Sequence, residues 1–195
     1  GAGLVPSYLA GREDTMKEAQ EAVLSLVHGF PTRSVVYYGL RGVGKTVLLN
    51  KIEEIVEENE VLYEHIEVSE RSSFKMAISL HIQKLIKQLS IKEQAKGIVQ
   101  KAWAVLKAFK ITYSPEGEVG IGIDGDIVAA AGVSDTGNFQ NDLTELFMAM
   151  GNLAQKNERA VCIFIDEIQY LKDDEFEALI AAIHRLNQRG LPVAL

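Results

Sequence analysis

Apolar residues recur along the chain at two kinds of spacing, and each spacing predicts a different element. Spacings of three and four residues are typical of one helix face, and they predict helices at 14–27, 47–56, 72–90, 91–110, 141–156 and 174–189. Continuous or alternating apolar runs predict strands at 34–38, 61–68 and 161–165, and a further strand begins at Leu191. Asp173 or Asp174 is expected to cap the last helix.

The stretch from 111 to 133 has a different pattern. Ser114-Pro115-Glu116-Gly117 is a turn signal, and the apolar residues beyond it alternate with glycine and aspartate. Since Ile111-Thr112-Tyr113 can pair with that alternating run, we expect a β-hairpin insertion over 111–129. We also expect 91–133 to carry contacts to a partner or to another subunit, with a local cap on the core as the alternative.

One glycine-rich stretch carries the strongest chemical signal. Gly39-Leu40-Arg41-Gly42-Val43-Gly44-Lys45-Thr46 fits G-x-x-x-x-G-K-[ST] at every fixed position, between a predicted strand and a predicted helix. Its three glycines can adopt backbone angles closed to other residues, so successive N–H groups can point into one concavity. We therefore predict a phosphate-binding loop that extends to Val47. Lys45 reaches the β- and γ-phosphates, and the Thr46 hydroxyl binds Mg²⁺.

Two acids follow the apolar run 161–165 directly. Asp166 and Glu167 lie where open α/β sheets bind their ligands, at the carboxyl end of a strand. We expect Asp166 to hold the Mg²⁺ shell and Glu167 to polarise the water that attacks the γ-phosphate. Two acids after an apolar run usually mark only a helix N-cap, and the glycine-rich loop upstream is what favours catalysis here.

Composition narrows the alternatives. The net charge of -7 gives no basic footprint for nucleic acid, and no apolar stretch approaches the roughly 20 residues that a membrane span needs. The single cysteine, Cys162, lies in an apolar run, which predicts a core residue of a cytoplasmic protein. The four histidines are scattered, so we expect no metal site made only of protein side chains. At 195 residues, one domain is expected.

With these motifs, the chain resembles P-loop ATPases of the AAA+ superfamily. It is more closely similar to bacterial and archaeal ATPase domains related to the origin-recognition ATPases and to the STAND signalling ATPases. Leu9-Ala10-Gly11-Arg12-Glu13 and Ile168-Gln169-Tyr170-Leu171 support the closer likeness. The resemblance implies a three-layer α/β/α fold with a parallel sheet. In that sheet, the strand from Leu191 separates the Asp166 strand from the strand before Gly39.

The resemblance also implies which ligands bind and which parts of such an ATPase domain are missing from this sequence. It implies ATP or ADP with Mg²⁺, with Gly11 and Arg12 beside the adenine and ribose and Ser69 where a polar residue can restrain the catalytic glutamate. Such ATPases continue with a sensor residue, an arginine finger and a helical lid that these 195 residues do not include. We therefore expect a truncated ATPase domain with reduced activity, whose open sheet edge favours self-association.

Several functions are compatible with the motifs. An ATP-hydrolysing switch uses both Lys45 and Glu167, whereas a nucleotide-gated module of the STAND type holds ATP or ADP with little turnover. An ATPase of the origin-recognition type, associated with DNA, is a further alternative. A P-loop kinase is disfavoured, because a water-activating acid beside the Mg²⁺ ligand suits hydrolysis. GTP is disfavoured because the chain has no Asn-Lys-x-Asp guanine reader.

Overall fold

The computed structural model describes residues 13–30, 32, 34–35, 45–90, 96–113 and 137–195, with Lys45 and Thr46 described through their backbone. All six predicted helices occur in this part of the chain: α1 Glu13–Val27, α2 Lys45–Glu58, α3 Phe74–Leu89, α4 Lys96–Tyr113, α5 Phe139–Lys156 and α6 Asp173–Gln188. The strands are β1 Leu62–Glu67, β2 Val161–Asp166 and β3 Val193–Ala194. A short 3₁₀ turn, Ile168–Tyr170, follows β2.

The three strands form a parallel sheet in the order β1-β2-β3. β1 and β2 pair in register along their whole length, up to Glu67 beside Asp166. Just after β3, the Val35 N–H donates to the Leu195 carbonyl at 3.0 Å, so the described segment at 34–35 lies next to the end of β3. The expectation that a strand after Leu191 separates this segment from the Asp166 strand is confirmed for the described residues.

Helices cover both faces of the sheet. Alternate strand residues such as Cys162 and Phe164 pack with α1 and α2, while Ile66 and Ile163 pack with α3, α5 and α6. A strand covered on both faces is apolar throughout, which explains the run at 161–165. Cys162 is a core residue as predicted, and burial raises the pKa of its thiol to about 12. The fold is the predicted α/β/α arrangement with a parallel sheet.

Helix α4 adds to these layers by packing against α3 and α5. Its apolar face, which includes Trp103, Leu106 and Phe109, is buried against them. α3 also contacts β1, so it is covered by both the sheet and α4. This double coverage explains why α3 carries more apolar residues than a single helix face requires.

The predicted first strand of the hairpin, at 111–113, is wrong. α4 continues through Tyr113, whose ring centroid lies 4.8 Å from that of Phe109 and 5.3 Å from that of Phe139. The Tyr113 hydroxyl donates to the fully buried Asp142 at 2.5 Å. These contacts need helical spacing from Phe109 to Tyr113, so packing outweighs the strand preference of the β-branched residues between them. The rest of the predicted hairpin, 114–129, lies outside the described residues.

Candidate nucleotide-binding site

The acidic residues of the candidate site lie at the carboxyl edge of the sheet. Because β1 and β2 are parallel and in register, they end side by side at Glu67 and Asp166. Asp166 is buried, with 9% of its surface exposed, and its Oδ1 accepts a hydrogen bond from the Glu167 N–H at 2.8 Å. The carboxylate of Asp166 is therefore held where the strand ends and the chain turns.

Glu167 occupies an uncommon backbone conformation. Its φ of 59° and ψ of 36° lie in the left-handed region, which few residues other than glycine adopt. The turn that follows is closed by hydrogen bonds from the Tyr170 N–H to the Glu167 carbonyl and from the Leu171 N–H to the Ile168 carbonyl, both at 3.0 Å. A strained backbone held by surrounding bonds is a recurrent feature of functional sites. Here it turns the half-buried Glu167 out of the strand.

The side chain of Glu167 also has a partner in its own turn. Nε2 of Gln169 donates a hydrogen bond to Oε2 of Glu167. Sequence reasoning missed this contact, although Gln169 was part of the resemblance. The sequence does show an amide side chain, Gln169, two residues after the candidate base Glu167. The bond between them also depends on the left-handed backbone of Glu167, which the sequence does not predict.

The start of α6 anchors the other end of this connection. The Lys172 N–H donates to Oε2 of Glu175 at 3.1 Å, and Glu175 is buried. The prediction that Asp173 or Asp174 caps this helix is therefore wrong. Lys172 occupies the N-cap position, and the acid three residues later binds its backbone N–H, which is one half of a capping box. Asp174 instead lies 3.9 Å from Lys75 Nζ.

The topology of α2 brings its first turn to the same edge as the acids. α2 has 14 residues, starts at Lys45 and ends at Glu58, just before β1. The Val61 N–H donates to the Val56 carbonyl at 3.1 Å, and α2 packs on β1 and β2. A helix that turns directly into a strand and packs on it runs antiparallel to it. Its length of about 21 Å matches the roughly 20 Å of β1. The backbone of Lys45 and Thr46 therefore lies near the carboxyl ends of β1 and β2.

Only some of the other predicted ligand residues lie in the described part of the chain. Gly11, Arg12 and Gly39-Leu40-Arg41-Gly42-Val43-Gly44 lie outside the described residues. Val47 is half-buried on α2, next to the fully buried Leu48. Ser69 lies at the predicted edge and hydrogen-bonds Ser72 at 2.9 Å, so its restraint of the glutamate stays a prediction.

Comparison with known proteins gives one result. The family described as AAA ATPase domain matches residues 8–195. No match to a curated protein or to a solved structure was found. None of the helices in the described part of the chain is long and apolar enough to cross a membrane. The family match spans nearly the whole chain, including the glycine-rich loop, the parallel sheet and the acids at its carboxyl edge, and the chain belongs to the AAA ATPase domain family.

Proposed function

We propose that this chain binds ATP with Mg²⁺ at the carboxyl edge of its sheet and hydrolyses it, as a switch between ATP- and ADP-bound states. The observation that carries the proposal is the topology: α2, which begins at Lys45, packs on β1 and β2, and β2 ends at Asp166 with Glu167 directly after it. Membership of the AAA ATPase domain family supports nucleotide binding by this edge.

The phosphate contacts follow from charge and backbone geometry. The first turn of a helix carries a positive partial charge and N–H groups without an intrahelical acceptor, so the start of α2 favours an anion. Lys45 at this end supplies a full positive charge for the β- and γ-phosphates, and the glycines before it let the backbone approach them. Gly11 and Arg12 complete the proposed site beside the adenine and ribose.

The residues at the edge fit a magnesium ion that arrives with the nucleotide. Mg²⁺ is usually bound through one or two carboxylates together with substrate phosphates and water. Asp166 supplies a buried carboxylate at the end of β2, and Thr46 supplies a hydroxyl in the first turn of α2. When bound there, the ion would neutralise charge on the phosphates.

Glu167 is the proposed general base. Its carboxylate accepts a proton from a water molecule as the water oxygen bonds to the γ-phosphorus. The bond between the γ-phosphorus and the bridging oxygen breaks, and ADP and phosphate leave. Glu167 follows the proposed Mg²⁺ ligand Asp166 directly, and its backbone N–H donates to Oδ1 of Asp166 at 2.8 Å, which supports a base adjacent to the metal site.

Lys45→Ala tests the phosphate site. Charge-assisted hydrogen bonds contribute roughly 1.5–3 kcal/mol each, so we expect the affinity for ATP with Mg²⁺ to fall at least about 10-fold. Isothermal titration calorimetry measures the change for ATP and ADP. Lys51→Ala is the matched control, since Lys51 lies on the same helix in an ion pair with Glu54 at 2.6 Å. Equal affinity in Lys45→Ala and the wild type would contradict the proposed site.

Glu167→Gln tests the chemistry separately from binding. Removing a general base typically lowers turnover about 10²–10⁴-fold, while the affinity for ATP is expected to stay near that of the wild type. Phosphate release and calorimetry measure the two quantities. Glu158→Gln is the control, because Glu158 is also a left-handed glutamate, with φ 54°, and precedes β2 rather than following it. Unchanged turnover in Glu167→Gln would instead favour a nucleotide-gated module with little hydrolysis of its own.

A further inference from the structure

We propose that Gln169 is a positioning residue that orients the carboxylate of Glu167 for the attack of water. The proposal rests on the hydrolysis proposed above. Its observation is the hydrogen bond from Nε2 of Gln169 to Oε2 of Glu167, formed within one tight turn. Gln169 would act on the reaction through Glu167 and not by contact with the nucleotide.

The geometry of the turn makes this contact a property of the local fold. Glu167 is left-handed, and Ile168–Tyr170 form a 3₁₀ turn closed by the Tyr170 N–H to the Glu167 carbonyl. On one side the turn continues from the buried end of β2, and on the other it reaches α6, where Glu175 fixes the Lys172 N–H. Because both ends are anchored, the two side chains are held close by the backbone.

The carboxylate of Glu167 can accept hydrogen bonds from the Gln169 amide and from a water molecule at the same time. An ionised carboxylate has two oxygens with about four lone-pair sites, and the amide of Gln169 uses a site on Oε2. A base needs another site for the proton of the water. A base that is oriented by a third group is the usual arrangement in enzymes, because an unoriented carboxylate samples several rotamers.

The side chain of Gln169 is not required for the turn itself. The turn is closed by backbone hydrogen bonds, and Gln169 is exposed. Replacing this side chain should therefore leave the fold intact. This separates a positioning role from a structural one and makes the substitution informative.

Three variants of Gln169 test the proposal by steady-state ATP turnover and by calorimetry. Gln169→Ala removes the donor, and we expect kcat to fall about 10–100-fold, as is typical for the loss of an outer-shell partner, with Kd for ATP within about 2-fold of the wild type. Gln169→Glu keeps the length without a donor and should lower kcat further, because like charges repel. Gln169→Lys keeps an N–H donor and should recover part of the loss.

Gln188→Ala is the matched control. Gln188 is an exposed glutamine at the far end of α6, where Nε2 lies 2.9 Å from His184 Nε2. We expect wild-type turnover and affinity in this variant.

The outcomes separate the two proposals. If Glu167→Gln is inactive while Gln169→Ala keeps the wild-type kcat, hydrolysis stands and the positioning role is wrong. A loss in Kd with unchanged kcat would make Gln169 a nucleotide contact and overturn the role. Equal losses in the Ala, Glu and Lys variants would indicate a structural role and overturn it as well. If the wild type binds ATP through Lys45 but does not turn it over, the hydrolysis proposal fails and the positioning role fails with it.

Discussion

Three glutamates adopt left-handed backbone conformations among the described residues: Glu60, Glu158 and Glu167. Glu60 and Glu158 follow the ends of α2 and α5, where left-handed residues commonly end helices. Glu167 follows a strand, so helix termination does not explain its conformation. Strain of this kind costs on the order of 1–3 kcal/mol and persists where surrounding contacts determine it. At this residue, the conformation turns the chain out of β2 directly after Asp166.

We predict that Tyr113 makes the free energy of unfolding depend on pH. Burial, together with the hydrogen bond to Asp142, raises the pKa of Tyr113 above its ordinary value of 10.0. A folded-state pKa above the unfolded value contributes stability that is present below about pH 10 and is lost as the pH rises further. The free energy of unfolding should therefore fall more steeply above pH 10 in the wild type than in Tyr113→Phe.

Urea unfolding at pH 8 to 11 measures this difference. Tyr113→Phe should also be less stable at neutral pH, by about 1–3 kcal/mol, because the buried Asp142 loses a hydrogen bond. Tyr170→Phe, at an exposed tyrosine, should retain the wild-type pH dependence. Parallel curves for the wild type and Tyr113→Phe above pH 10 would show that Tyr113 does not supply this dependence.

At the element scale, α5 and α6 meet across a glycine. A Cβ built on Gly151 would lie 2.9 Å from Leu191 Cδ1 and 3.2 Å from Leu186 Cδ2. Leu186 lies on α6 and Leu191 lies just before β3. The absence of a side chain at Gly151 therefore lets both segments pack closely against α5. This close approach fixes how α6 and the start of β3 lie against α5.

Gly151→Ala tests that packing. Overpacking in a core costs roughly 1–3 kcal/mol, and the better helix propensity of alanine offsets about 1 kcal/mol of it. We expect a net loss of about 1 kcal/mol in the free energy of unfolding, measured by urea denaturation. Gly97→Ala in the first turn of α4 should instead raise stability by about 0.5–1 kcal/mol, because no described atom lies within 4 Å of the added Cβ. A gain in both variants would mean that Leu191 and Leu186 move aside without cost.

The contacts of Lys75 with three other helices could not be predicted from the sequence. Its Nζ lies 4.5 Å from the ring centroid of Phe139, 5.3 Å from that of Tyr113 and 3.9 Å from Asp174 Oδ2. One side chain at the start of α3 thus contacts the end of α4 and the starts of α5 and α6. Such contacts join residues that are distant in sequence, and no local pattern indicates them. The same packing extends α4 beyond the point where the sequence predicted a strand.

Across the whole fold, the resemblance predicted the layers and the position of the Leu191 strand next to the Asp166 strand, while the neighbour on the other side, β1, was not predicted. The apolar run before Asp166 indicated a strand covered on both faces, and the structure places β2 between β1 and β3 with helices on both sides. The acids at 166–167 were predicted by their position after that strand. The conformation of Glu167 and its bond to Gln169 could not be predicted, because they depend on how a short turn is anchored by α6.

The aromatic junction of Tyr113 and Phe139 has a consequence for how this architecture can vary. Their rings lie 5.3 Å apart, so the end of α4 and the start of α5 are held together by the core itself. Loop-closure entropy grows slowly with length, by roughly 0.6 kcal/mol for each doubling. A connection of a different length between Tyr113 and Phe139 would therefore change the closure entropy by only a small amount. Because the contact is made by residues on the two helices themselves, it can hold their ends together across connections of different length.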